Sequence, residues 1–197
     1  MATRGFTGRA RTDSDQVPPG QYVVDDFPVL TAGPTIGVTE DQWELTVTDG
    51  ITTKTYDWGA LHALPVEMII VDIHCVTHWS KLETVWEGVQ VSALFEDAGL
   101  GDYGYALISS YGDYTTNVPV ADLVEHDALI ATRYGGEAID AEHGGPARLL
   151  VPHLYLWKSA KWVHHIRLMD EDEPGFWEAA GYHIYGDPWR EQRYYSD

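Results

Sequence analysis

Cys75 is the one cysteine of the chain, and it sits between two histidines in Asp72-Ile73-His74-Cys75-Val76-Thr77-His78-Trp79-Ser80. A single thiol excludes an intrachain disulfide framework and a multi-thiolate zinc site. Four roles stay open for it. It could be an inert, buried small residue, or a nucleophile activated by a neighbouring histidine. It could join a Cys/His zinc site, although the spacing matches no common pattern. It could also be a soft thiolate completing the coordination of a metal whose other ligands come from a cofactor.

A second signal is an absence. The chain has 31 acidic residues, yet His143 to Met169 contains none while holding Arg148, Lys158, Lys161, Arg167, His143, His153, His164 and His165. A positive stretch in so acidic a chain fits a buried anionic ligand. It fits equally a pair of core strands that exclude acids. Within it, Lys158-Ser159-Ala160-Lys161 precedes a strand, where backbone N–H groups and two ammoniums could cradle a phosphate. His143-Gly144-Gly145-Pro146 allows close backbone approach to a flat ligand, with Arg148 two residues on.

The elements that would position these residues read as an α+β chain, strand-rich with short helices. Trp43–Thr48 and Thr52–Tyr56 form a hairpin about Asp49-Gly50. Asp57 caps a short helix, Trp58–Leu64, which stops at Pro65. Val66–Cys75 reads as a buried strand with Cys75 where a loop begins. Val89–Ala98 has helical spacing and stops at Gly99. Further strands are expected at Tyr105–Tyr111, Ala128–Tyr134, from Glu137, at Ala147–Val151 and at Lys161–Met169, with a short helix at Val120–Glu125. Residues 16–40 read as extended loop, and the aromatic tail from Pro174 as one helical turn followed by loop. Residues 1–15 read as a flexible arm and 16–197 as one domain without repeats or an internal boundary.

The 197 residues carry a formal net charge of −19 with only 12 basic residues. That field repels nucleic acid and anionic membranes, so neither is an expected partner. No apolar run approaches a membrane span, and no apolar region follows Arg4, Arg9 and Arg11, so a cytoplasmic location is expected. The acids are spread along the chain. This favours adaptation to a high-salt cytoplasm over a single acidic binding face.

Taken in order, these pieces resemble the sulfite-oxidase-like molybdopterin-binding oxidoreductases, over nearly the whole chain from about Pro18 to Tyr195. The resemblance is carried by His-Cys-Val-Thr-His-Trp-Ser at 74–80 with Trp86-Glu87-Gly88-Val89. It continues in His143-Gly144-Gly145-Pro146-Ala147-Arg148 running into Leu149-Leu150-Val151-Pro152, and then in Lys158-Ser159-Ala160-Lys161-Trp162. The opening Phe27-Pro28-Val29-Leu30 and the closing Gly175-Phe176-Trp177-Glu178 to Gly186-Asp187-Pro188-Trp189 look like those of short prokaryotic members. The resemblance implies a molybdenum–pyranopterin cofactor with Cys75 as protein ligand to the metal. Arg148 and Lys161, with the backbone of Ser159 and Ala160, would hold the terminal phosphate. Ser110 and His143 would face the pterin, with His74 and Lys158 as additional neighbours. His78 stands where many relatives carry Arg near the metal.

The implied activity is transfer of one oxygen atom to or from a small substrate, with electrons exchanged with a separate protein partner. A sulfite pocket would want several fixed cations, and near Cys75 the sequence offers His74, His78 and Lys81, with Arg133 able to fold in. Trp79 and Trp86 could instead line a pocket for a neutral S-oxide or N-oxide, as in the periplasmic methionine sulfoxide reductases of this family, or could be core. Two rival readings are a cofactor carrier without turnover, and an acidic salt-adapted interaction domain with a structural Cys75.

Overall fold

The computed structural model describes residues 16–197; the expected arm at residues 1–15 lies outside the described residues. In chain order the elements are β1 (Tyr22–Val23), β2 (Glu44–Thr48), β3 (Thr53–Asp57), α1 (Trp58–His62), β4 (Val66–His74), β5 (Trp79–Gln90) and α2 (Val91–Ala98). There follow β6 (Tyr105–Ser110), β7 (Thr115–Pro119), α3 (Val120–Val124), β8 (Leu129–Tyr134), β9 (Glu137–Ala138), β10 (Arg148–Leu150), β11 (Val163–Met169) and α4 (Phe176–Ala179). The strands make two mixed sheets. One runs β1-β5-β8-β10, with β4 also paired to β5 and β9 to β8; the other runs β3-β2-β11-β6-β7.

Period-two alternation decides which face each side chain takes. On β2, Leu45 and Val47 are fully buried. They join Ile108 of β6, Val118 of β7 and Ile166 of β11 in a core that also takes Val89, Ile130 and Leu149 from the first sheet. Helices α2 and α3 add Leu94, Phe95 and Leu123. The other face of the first sheet builds a second cluster from Ile73, Trp86, Leu129, Ala131 and Leu150, with Cys75 and Trp79 at its margin. Successive residues of β8 and β10 therefore enter different clusters, and this sheet is covered on both sides. The approach of β5 to β8 is close at Gly88, where a Cβ would stand 2.3 Å from the Ile130 carbonyl oxygen.

Several expected elements need correction. The sequence reading placed no strand at Trp79–Gln90, yet β5 is the longest strand and the centre of its sheet. Glu83 takes a left-handed φ of 51° and the register shifts between Glu87 and Gly88, which breaks the alternation a strand reading depends on. Its last residues, Val89 and Gln90, belong to the strand and not to the helix expected over Val89–Ala98, which starts at Val91. Strand β7 was also missed. Strand β4, read as buried, is an edge strand whose Val66, Met68 and Ile70 are exposed, because β5 covers only one side of it. Asp57 caps α1 as expected, accepting from the Ala60 N–H at 2.7 Å. No helix among the described residues is long and apolar enough to cross a membrane.

Candidate cofactor site

Cys75 follows β4 directly and opens the turn that leads into β5. Its N–H donates to the Trp79 carbonyl at 2.9 Å, and the His78 N–H donates back to its carbonyl at 3.0 Å. The turn lifts the sulfur into a cavity of about 770 Å³ whose wall also includes Ser110, Arg148, Ser159 and Lys161. Ser110 comes from the end of β6 in the second sheet and Arg148 from β10 in the first. Both sheets and the loop before β11 therefore meet at one space. Residues Phe27 to Ile36 run along another side, and Tyr114, Trp157, Trp177 and Tyr182 give it an aromatic wall.

The charges in that wall are unpaired. Arg148 is 2% exposed, and its guanidinium donates to the carbonyls of His143 and Ser159, each at 2.8 Å. Lys161 Nζ donates to the carbonyls of Leu30 at 2.8 Å and Glu142 at 2.5 Å. Among the described residues neither cation meets a carboxylate. Burial lowers the pKa of Arg148 to about 10, and burial, then the charge of Arg148, lowers that of Lys161 to about 8. Burial pushes the Cys75 thiol up, opposed by the Thr77 hydroxyl, which donates to Sγ at 3.1 Å, and then by the charges of Arg193 and Lys161.

Buried cations without counter-ions cost free energy unless an anion arrives to meet them. The Ser110 hydroxyl makes the same point: it is buried, it belongs to a wall residue, and it has no hydrogen-bond partner among the described residues. Gly144 keeps the approach to Lys161 open, since with φ at +105° a Cβ there would stand 2.9 Å from the Lys161 Cα. An anionic, flat ligand with a group for a thiolate to bind would satisfy all of these at once. The residues present fit a pterin phosphate and a metal.

The other expected site residues fall in different places. Ser159 lines the cavity, but its hydroxyl accepts from the Val151 N–H at 2.9 Å. Ala160 is buried in the core and accepts from the Leu149 N–H through its carbonyl. His143 does not line the cavity; it stacks on Phe27, which does, at 4.1 Å between ring centroids. Burial and the charges of Lys161 and Arg148 lower its pKa, and its Nδ1 is buried without a partner among the described residues. His74 points away from the sulfur because successive strand residues face opposite ways. Its Nδ1 lies 2.8 Å from the Ser80 hydroxyl, and burial lowers its pKa to about 4.

Lys158 does not face the cavity. It is fully buried and donates to Glu178 at 2.6 Å, to Asn117, and to the Ile184 carbonyl. His78 is exposed and outside the cavity, its Nδ1 3.0 Å from the Gly20 carbonyl oxygen. Arg133 points to solvent beside Glu87. Trp79 lines the cavity, whereas Trp86 is core. Sequence reasoning missed Gln21 and Arg193, which grip the Cys75 turn from behind through its carbonyls. No local motif marks either of them.

With this geometry in view, the comparisons with known proteins are specific. Residues 32–177 match the family model described as oxidoreductase molybdopterin binding domain. The chain is 40% identical over 193 residues to the uncharacterized oxidoreductase YuiH of Bacillus subtilis (strain 168), covering 96% of this chain and 97% of that one. It is 26% identical over 163 residues to the protein-methionine-sulfoxide reductase catalytic subunit MsrP of Ralstonia nicotianae, covering 73% of this chain and 49% of that protein. Among solved structures it resembles the sulfane dehydrogenase SoxCD from Paracoccus pantotrophus, with a TM-score of 0.62 at 19% identity over 70% of this chain and 40% of that one.

Proposed function

The chain belongs to the sulfite-oxidase-like molybdopterin-binding oxidoreductases, and on that premise we propose that Cys75 is the protein ligand to molybdenum and that the substrate is a small neutral oxide. The enzyme depends on a molybdenum–molybdopterin cofactor. When bound, this group supplies a two-electron couple and the transfer of one oxygen atom. The chain's own residues do the rest. The turn at 75–78 holds the sulfur in the cavity, and coordination keeps it deprotonated. Arg148 and Lys161 would together hold the phosphate, and the unpartnered Ser110 hydroxyl would be free to hydrogen-bond to the pterin. The aromatic wall excludes water from the reacting atoms.

One observation carries this reading: the single thiol, two cations without a carboxylate partner and an orphaned hydroxyl line one cavity. The substrate class follows from what remains. Among the described residues Arg148 and Lys161 are the arginine and the lysine of the cavity wall, and on this reading both face the phosphate. No other fixed cation of the described residues lines the cavity for a sulfite dianion, and Asp113 on the wall repels one. Trp79, Trp157, Trp177 and Tyr182 suit a sulfoxide or thioether, whose polarisable sulfur packs well against aromatic rings. The MsrP relative, by its name, reduces methionine sulfoxide in proteins. Electrons then come from a separate carrier.

Purified holoprotein should contain one molybdenum and one pterin per chain. With a reduced dye as electron donor it should reduce dimethyl sulfoxide and methionine sulfoxide, and it should fail to oxidise sulfite. Cys75→Ser should lose turnover while its melting temperature in the cofactor-free state stays near that of the wild type. Rapid sulfite oxidation with inert sulfoxides would reverse the substrate assignment. Stoichiometric cofactor with no turnover of any oxide would make the chain a carrier.

A further inference from the structure

Two residues from opposite ends of the chain hold the Cys75 turn from the side away from the cavity. Gln21 Nε2 donates to the carbonyls of Cys75 at 3.1 Å and Trp79 at 3.2 Å, the two ends of the turn. Arg193 Nη1 donates to the Val76 carbonyl at 2.7 Å. Its Nη2 reaches the Pro19 carbonyl at 3.5 Å and Gln21 Oε1 at 3.4 Å. The guanidinium also lies over the Tyr155 ring, 4.9 Å from its centroid. Tyr155 opens the segment that ends in Lys161, so one side chain touches both the thiolate turn and the start of the anion cradle.

Charge separates this arrangement from an ordinary tether of the tail. Gln21 is 3% exposed and Arg193 is 6% exposed. The chain has 31 acids, yet among the described residues none pairs with Arg193. Carbonyl oxygens satisfy its guanidinium N–H groups, and the carboxylate it does meet, Asp197, accepts from its backbone N–H at 2.9 Å and not from the guanidinium. A tether alone would be cheaper with a carboxylate. The charge of Arg193 acts on the sulfur of Cys75, one residue from Val76, and would meet an anion there once a metal held the thiol deprotonated.

We propose that Arg193, braced by Gln21, is a positioning residue for the metal ligand: it fixes the Cys75 turn against the Tyr155–Lys161 segment and sets a permanent positive charge behind the sulfur. The proposal rests on the reading of Cys75 as the molybdenum ligand. Removing the charge should disfavour the more negative, reduced form of the site and move its midpoint potential downward.

The test uses holoprotein of the wild type, Cys75→Ser, Arg193→Met, Arg193→Lys and Gln21→Met. Four quantities are read: molybdenum and pterin per chain, the sulfur-to-metal charge-transfer absorption, the midpoint potential and the melting temperature. Arg193→Met should retain pterin but show a shifted band and a more negative potential, and Arg193→Lys should restore most of the potential because the charge is kept. Gln21→Met should shift the band with a smaller change in potential. A band and potential unchanged in Arg193→Met, whatever its melting temperature, would reduce Arg193 to a tether and overturn the proposal. Should Arg193→Met fail to accumulate, Arg193→Gln takes its place, and a band and potential unchanged in that variant would overturn the proposal equally. Cys75→Ser tests the premise separately, since a wild-type band surviving in that variant would remove the cysteine from the metal.

Discussion

Lys161 places an ammonium in the cavity wall, and burial with the nearby Arg148 holds its pKa at about 8 against an ordinary value of 10.5. Between those two values the unfolded chain holds a proton that the cofactor-free fold has released. The charged side chain therefore weakens the cofactor-free protein most below pH 8, and this cost is relieved as pH rises towards 10.5. A bound phosphate reverses the balance, because an adjacent anion raises the pKa of Lys161 again. Cofactor binding should thus take up a proton above pH 8, and affinity should fall as pH rises from there. The expected slope can be read from pterin retained after dialysis across pH 7 to 10, in the wild type and in Lys161→Met. The variant should bind more weakly but with a flat profile; an identical slope in both would assign the proton to another group. This residue was legible in the sequence as one of two lysines in an acid-free stretch that also holds Arg148, and Cys75 as the lone thiol between two histidines. From residue type and spacing alone Lys158 was not distinguishable from it, and the resemblance kept Lys158 as an additional neighbour of the cofactor. Three residues apart in a 3₁₀ turn and its exit, the two ammoniums go to opposite sides. Which one meets the buried Glu178 depends on a tail segment 20 residues further on.

That tail is where element-scale packing does its work. Glu178 on α4 accepts from Lys158 at 2.6 Å, from the Trp157 indole at 2.8 Å and from Thr116 of β7 at 3.2 Å. The pair is buried on both sides, and desolvation lowers the pKa of Lys158 while Glu178 opposes it. The network fixes the indole of Trp157 in the cavity wall from behind. Breaking such a pair leaves an uncompensated charge, so Lys158→Met should cost about 3–5 kcal/mol. The double variant Lys158→Met/Glu178→Gln should recover much of that, since the neutral amide still accepts from Trp157. A denaturant double-mutant cycle should give a coupling of about 2 kcal/mol or more, and additive losses would show that the two groups do not depend on each other. Local signals announced α1 with its Asp57 cap and the Asp49-Gly50 hairpin, because those depend only on neighbours in sequence. They missed β5, whose left-handed Glu83 and register shift interrupt the alternation, and they misjudged β4, whose edge position depends on what pairs beyond it. The cavity was legible as motifs, and its grip by Gln21 and Arg193 was not, since those contacts span more than 50 and 115 residues of chain.

At the scale of the molecule, the formal charge of −19 must sit somewhere, and the cavity holds the opposite sign. Only six carboxylates among the described residues meet a basic side chain, so most of the acids repel one another across the surface. Screening weakens that repulsion, with a Debye length of about 10 Å at 0.1 M salt and about 3 Å at 1 M. The melting temperature should therefore rise as potassium chloride is added. Repulsion alone predicts a rise that flattens by about 1 M, where surface charges further apart than neighbours no longer sense each other. Adaptation to a saline cytoplasm predicts a rise that continues beyond it, because a dense carboxylate surface then gains from the ions it organises. A melting temperature that falls with salt would mean that the few ion pairs outweigh the repulsion, and would remove the salt reading of the composition. The cavity cations give this experiment an internal contrast. Arg148 is buried and Lys161 half-buried, where screening reaches less well than at the surface, so a phosphate held by them as proposed should dissociate less with salt than a surface-bound anion would. Holoprotein that gains melting temperature while keeping its pterin in molar salt would show both fields at once, negative outside and positive within.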